Sequence, residues 1–194
     1  MTVRSEIVFA PNHQITGIRH AWTFDELYTA MAMQGVDTNG DGILSKEELK
    51  PVVESMVNSL KPFDYFTYVH FVGVDKMLPL KPPEHYSLDY DGNMLTLHFT
   101  LLLEEPVDAS GQNVEIEVYD PSFYVAFNFA KDEPVKMVGT PVQGCGACTS
   151  KPDLASEESA KTLSEDFFRQ LGPSSNFGAQ FAQTVTIKCS DAPS

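Results

Sequence analysis

No apolar run in this 194-residue chain approaches the roughly 18 residues of a membrane-spanning helix, so insertion of the chain into a membrane is not expected. Cations are scarce as well. There are 13 Lys+Arg against 27 Asp+Glu, a formal charge of -14, which repels nucleic acid and anionic lipid and favours cationic partners. The acidic residues are spread along the chain, as on a solvated surface. There is no GxSxG, P-loop, GxGxxG or HExxH pattern, so no sequence motif supports an enzyme. The histidines His13, His20, His70, His85 and His98 include no pair at helical ligand spacing. His20, His70 and His98 lie on expected strands, where each reads as a satisfied sheet residue or, if they converge, as part of a transition-metal site. A signal peptide is not evident, because the chain opens directly on the strand-like Val3–Phe9. That is consistent with a cytoplasmic protein or with a mature, trimmed one.

What is present is ordinary for a folded protein: 42% hydrophobic and 21% charged residues, enough for one domain with a sizeable core. We expect a single domain over 1–194. Three cysteines occur, Cys145, Cys148 and Cys189. The CxxC spacing of Cys145 and Cys148 has redox and zinc readings. It sits in a loop or short strand rather than opening a helix, and three sulfurs are too few for a closed zinc site. A structural disulfide to Cys189, from either Cys145 or Cys148, ties down the C-terminus and implies an oxidising compartment.

Alternating Val3–Phe9 and Ile15–Trp22 predict a hairpin. Thr23 and Glu26 form a capping-box pattern opening a helix with Phe24, Leu27 and Met31 on one face. A second capping box, Ser45 to Glu48, opens the most amphipathic stretch, with Leu49, Val52, Val53, Met56, Val57 and Leu60 at helical spacing and Pro51 past its first turn. Beyond Phe63 the pattern turns to strand: Tyr65–Val72, then Tyr86–Tyr90 and Met94–Leu101 around Asp91-Gly92, then Val114–Tyr119, Tyr124–Phe129 and Val135–Val138. A helix over Glu157–Leu171 and a closing strand Phe181–Cys189 finish the chain. The expected class is α+β, an antiparallel β-sheet domain with a helix-loop-helix inserted over 23–60 and a C-terminal helix.

The inserted segment carries the chemistry. Asp37-Thr-Asn39-Gly-Asp41-Gly42-Ile43-Leu-Ser45-Lys-Glu-Glu48 matches the EF-hand loop pattern at every fixed position. Asp37, Asn39 and Asp41 offer side-chain oxygens at alternate positions, Gly42 permits the sharp turn and Ile43 offers its carbonyl. Ser45 acts through a water, and Glu48 closes the sphere with two oxygens. Hard oxygens in that number favour Ca²⁺ over Mg²⁺ and softer metals; a lanthanide would fit the same set. Leu44 should pack inward. No second loop follows, since Asp89–Asn93 is a hairpin turn, so a lone hand points to a structural or low-affinity site.

Several ordered blocks resemble one family: Gly17–Glu26, the loop itself, Phe63–Thr67, Leu95–Thr100, Glu117–Pro121, Cys145, and Gln180 through Cys189. It is a bacterial family labelled "ABC-type transport system, periplasmic component", encoded beside nickel/cobalt efflux permeases. The resemblance implies a periplasmic protein, exported with a signal peptide, in a supporting role in metal transport with a membrane permease as partner. Members begin with a His-Pro-His segment that this chain lacks, so no role of those histidines carries over. The family's cysteines fall at Cys145 and Cys189, which makes that pair the expected disulfide and leaves Cys148 free. The expectation is thus a periplasmic calcium-binding accessory protein, binding a solute or metal; the alternative is a calcium-responsive protein–protein interaction module.

Overall fold

The computed structural model describes residues 1–150 and 176–189. Among them strands dominate, ten against two α-helices. The first sheet is built on the hairpin of β1 (Thr2–Phe9) and β2 (Ile15–Thr23), in register from Thr2 opposite Thr23 to Phe9 opposite Ile15. β5 (Leu95–Val107) pairs antiparallel with β2, and β4 (Tyr86–Tyr90) with β5, the latter pair turning at Asp91-Gly92 as the sequence predicts. On the other edge of β1, β7 (Asn128–Phe129) and β8 (Val135–Gly139) both pair parallel. The second sheet is antiparallel, in the order β3 (Thr67–Phe71), β6 (Val114–Val118), β10 (Gln183–Cys189), β9 (Cys145–Ser150).

Strand alternation builds the core between the sheets. Leu95, Leu97, Phe99 and Leu101 of β5 are buried on one side, as their spacing requires. Ile7, Ile15 and Ile18 of the first sheet meet Val69, Ile116, Val185 and Ile187 of the second. α2 (Lys46–Leu60) contributes Leu49, Val53 and Val57 to a second cluster with Trp22, Leu88, Leu95 and Leu97 of the first sheet. The fold is therefore a two-sheet β sandwich with a helical cap on one end, and this corrects the expected class in three respects. There are two sheets rather than one, and the first is mixed rather than antiparallel. The inserted segment is no EF-hand helix-loop-helix: α1 (Glu26–Ala32) has seven residues, and Met33–Val36 separate it from Asp37 as turns. Gly35, at φ +73°, breaks the helix there, because a left-handed residue cannot continue it. The predicted helix over 157–171 lies outside the described residues.

Local details also differ. Asp25, not Thr23, caps α1, its carboxylate accepting the Tyr28 amide at 2.9 Å, while Thr23 ends β2 with its hydroxyl on that of Thr96. The buried residue of α1 is Thr29, whose hydroxyl accepts the Leu95 amide, and Leu27 and Met31 stand 73% and 65% exposed. A helix of two turns can turn only one narrow stripe inward, and here Thr29 occupies it. Tyr65–Val72 begins its strand only at Thr67, because Asp64, Tyr65 and Phe66 are all left-handed, with φ +50°, +54° and +50°. Each such residue costs about 1–2 kcal/mol. Of Tyr124–Phe129 only Asn128–Phe129 is strand.

Candidate functional site

The loop from Asp37 to Glu48 folds on its own oxygens. Asp37 Oδ1 accepts the Gly40 amide at 2.7 Å and Oδ2 the Gly42 amide at 2.9 Å. Asn39 Oδ1 accepts the Asp41 amide at 2.8 Å, and Asp41 Oδ1 the Ile43 amide at 2.7 Å. Each side chain at an alternate position thus catches an amide two to five residues downstream, which is how Asp and Asn wind a chain into successive turns. Gly40 and Gly42 supply the positive φ that the winding needs, at +73° and +79°.

Glu48 closes the loop from the far end. Its Oε2 accepts the Ser45 amide at 3.0 Å and the Ser45 hydroxyl at 2.8 Å, and the Glu48 amide donates to Ser45 Oγ, so the expected capping box at the start of α2 is formed. Its Oε1 reaches back to the Thr38 amide at 2.8 Å and hydroxyl at 2.9 Å. These donors, the Ser45 amide foremost, hold its carboxyl down at about 2. Leu44 is partly buried and packs against the core, anchoring the loop.

The six expected ligands, Asp37, Asn39, Asp41, Ile43, Ser45 and Glu48, therefore lie in one surface loop whose side chains are bonded to one another and to its own backbone. Their carboxylates are turned onto amides and hydroxyls. Among the described residues no three His, Cys, Asp or Glu side chains stand grouped as around an ion.

The three strand histidines do not converge. His98 lies on the outer face of the first sheet, 3.1 Å from Asp89. His70 lies on the second sheet, its Nδ1–H donated to the Phe71 carbonyl and its Nε2 3.7 Å from both Glu115 and Glu117. Burial raises the Glu117 carboxyl above its ordinary range. His20 is buried between the sheets. The single proton of the Thr67 hydroxyl goes to the Tyr65 carbonyl, so Thr67 Oγ1 accepts from His20 Nε2–H at 3.2 Å, and His20 Nδ1 accepts from the Ser5 hydroxyl at 2.9 Å. Burial pushes the imidazole down to about 3, so it is neutral at pH 7. Sequence reading had no means to place it, since its partners lie 15 and 47 residues away.

Cys145 and Cys189 are disulfide-bonded, facing each other in register on β9 and β10, and Cys148 is free and exposed. The aromatic-rich segment Tyr119–Tyr124, which the sequence offers as core packing or as part of a binding surface, borders a cavity of about 620 Å³ between the helical cap and the loop after β6. The cavity is bounded by the left-handed turn at Asp64–Phe66, whose only sequence signal is the aromatic run around Asp64.

The profile of a family described as "Protein of unknown function (DUF1007)" matches residues 1–189. The chain belongs to the DUF1007 family. This DUF1007 protein is 23% identical over 178 residues to an "Uncharacterized protein" of Haemophilus influenzae, a match covering 92% of this chain and 84% of that one. No solved structure matches it. In this DUF1007 chain no helix among the described residues is long and apolar enough to cross a membrane.

Proposed function

We propose that this chain is a periplasmic calcium-binding accessory protein of a metal transport system, with the loop from Asp37 to Glu48 as its Ca²⁺ site. The observation that carries the reading is the oxygen array of that loop. Two carboxylates and an amide wound onto successive turns, and a glutamate drawn back across them, offer the hard donors Ca²⁺ takes. Binding would ask Asp37, Asp41 and Glu48 to exchange hydrogen bonds for the ion. It would also remove their mutual repulsion in a chain of charge -14. The Cys145–Cys189 disulfide supports an oxidising compartment, and the resemblance to the family labelled "ABC-type transport system, periplasmic component" supports the periplasm and a membrane metal permease as partner.

Calorimetric titration with Ca²⁺, Mg²⁺, Ni²⁺, Co²⁺ and a lanthanide tests this. One Ca²⁺ should bind at ~10⁻⁵–10⁻³ M, more weakly than to cytosolic buffers. Glu48→Gln should weaken it steeply; unchanged affinity in that variant removes the loop from the site. At free Ca²⁺ 100-fold above the dissociation constant the native state should gain about 2.7 kcal/mol.

A second reading, a calcium-responsive interaction module, is favoured by the exposure of Leu27 and Met31 beside the loop. Against it, α2 already has Leu49, Val53 and Val57 in the core and cannot open without leaving it. A large rise in hydrophobic-dye fluorescence on adding Ca²⁺ to folded protein would decide for the module.

A further inference from the structure

The cavity between the helical cap and the loop after β6 has a lining unlike the rest of the surface. Five rings border it: Phe24 and Tyr28 from the start of α1, Phe63 and Phe66 from the turn after α2, and Tyr124 from the loop. Four of them form two stacked pairs, with Phe24 on Tyr28 at 4.5 Å and Phe63 on Phe66 at 5.2 Å between centroids. The two walls come from different elements. Tyr124 is 92% exposed, a large ring with no packing of its own, carried at the rim just after Phe123, whose φ is +57°. The left-handed run from Asp64 to Phe66 sets the opposite wall. Left-handed non-glycine backbone on both sides of one cavity marks a shape that the fold maintains against local preference.

Carboxylates outnumber cations in the lining. Asp25 and Asp120 line the cavity, and no lysine or arginine among the described residues does. Asp120 is held by the Ser122, Tyr124 and Val125 amides and by the Ser122 hydroxyl, so it fixes the loop while lending the cavity its charge. The Met1 ammonium, also in the lining, donates to the Ala126 carbonyl and helps hold the Asp25 carboxyl below its ordinary range, after the Tyr28 amide. Ring faces carry negative quadrupole charge, and with two carboxylates they recognise an alkylated ammonium while offering little to an anion. The size falls within the range of small-molecule sites.

We propose that this cavity binds a small organic cation of the quaternary-ammonium class, seated between the two stacked ring pairs and capped by Tyr124. The site is separate from the Asp37–Glu48 loop and does not depend on Ca²⁺. Choline and its uncharged carbon analogue 3,3-dimethylbutan-1-ol are the probes, titrated into the full chain with and without Ca²⁺ and followed by calorimetry and by the line width of the choline methyl protons. Choline should bind about 3- to 30-fold more tightly than the alcohol. Phe63→Ala and Tyr124→Ala should each weaken choline several-fold. Asp25→Asn keeps an acceptor for the α1 cap and should weaken choline while leaving the alcohol unchanged. Leu27→Ala, exposed on α1 but outside the cavity, should change neither. If Phe63→Ala unfolds, the Tyr124→Ala and Asp25→Asn results decide. Equal affinity for the two probes would reduce the cavity to an apolar groove and overturn the proposal. So would no choline binding at tens of millimolar, or affinities that none of the three cavity substitutions alters.

Discussion

The loop from Asp37 to Glu48 and the core around Trp22 and His20 are both dense in interactions, but their bonds span very different distances along the chain. Every hydrogen bond that shapes the loop joins residues within its own twelve positions, so a short sequence contains the whole arrangement. The core is assembled from far apart. Trp22 meets Phe99 edge-on at 4.7 Å and Phe127 at 5.0 Å, and His20 joins Ser5 on the first sheet to Thr67 on the second. The loop carries recognisable chemistry on an exposed surface and contributes little apolar burial. The core carries no recognisable motif and holds the two sheets together. Stability and candidate function are thus separated in the molecule, and substitutions in one region should leave the other largely intact.

The largest effect should come from Trp22. It is fully buried, and Trp22→Ala should cost about 3–5 kcal/mol in chemical denaturation. Its indole N–H is buried without a hydrogen-bond partner among the described residues, so Trp22→Phe removes an unsatisfied donor together with some packing and should cost clearly less than the alanine. A loss as large as the alanine's would contradict this. Ca²⁺ titration of the folded Trp22→Phe variant should match the parent if core and loop are as separate as their contacts indicate.

Reduction comes next. The Cys145–Cys189 bond spans 44 residues, and opening it with a Cys145→Ser, Cys189→Ser pair should cost up to about 4 kcal/mol from the larger entropy of the unfolded chain. Non-reducing peptide mapping should return Cys145 linked to Cys189 and Cys148 alkylated. Recovery of a Cys148–Cys189 peptide would contradict the strand register.

The same contrast explains what could be read in advance. The Ser45–Glu48 capping box, the hairpin at Asp91-Gly92 and the alternation of Leu95 to Leu101 are all local, and each appears where the sequence places it. The division into two sheets and the parallel pairing of β7 and β8 with β1 are not local, since they depend on which strands meet, and no short-range pattern encodes that. The helix-loop-helix expectation failed for a mixed reason. The loop winds on hydrogen bonds to its own residues, and α1 ends at Ala32 with its stripe taken by Thr29, so of the expected face Phe24 is buried while Leu27 and Met31 face solvent. Of the aromatic cavity only the Tyr119–Tyr124 segment is legible in the sequence, because the other rings come from separate segments brought to it by left-handed backbone that spacing does not announce.

Acid should separate the two regions again. His20 titrates near 6.5 when unfolded and at about 3 when folded. A depressed histidine leaves the unfolded state holding more protons, so its contribution is intact above 6.5 and declines as pH falls from 6.5 toward 3. The slope for one proton is about 1.4 kcal/mol per pH unit. Denaturation at a series of pH values should show that slope, and His20→Gln, uncharged throughout, should flatten it at the cost of a lower plateau. An unchanged slope in that variant would assign the acid sensitivity elsewhere.

The smallest effect belongs to the loop, and it concerns the last ligand position. Ser45 caps α2 and also holds Glu48, so Ser45→Ala should cost about 1 kcal/mol as a lost helix cap. Its more telling consequence is in titration. The Glu48 carboxyl lies at about 2 against an ordinary 4.5, held there by the Ser45 amide first, then the Ser45 hydroxyl, then Thr38. A depressed carboxyl stabilises the fold fully above 4.5 and loses that contribution as pH drops from 4.5 to about 2. In Ser45→Ala the amide remains and the hydroxyl does not, so the carboxyl should titrate between those limits, and a matching Thr38→Val substitution should move it less. Carbonyl chemical shifts of Glu48 followed from pH 6 downward read this directly. If both variants leave the titration where it was, the loop is not closed by Glu48, and the closure that the Ca²⁺ reading relies on goes with it.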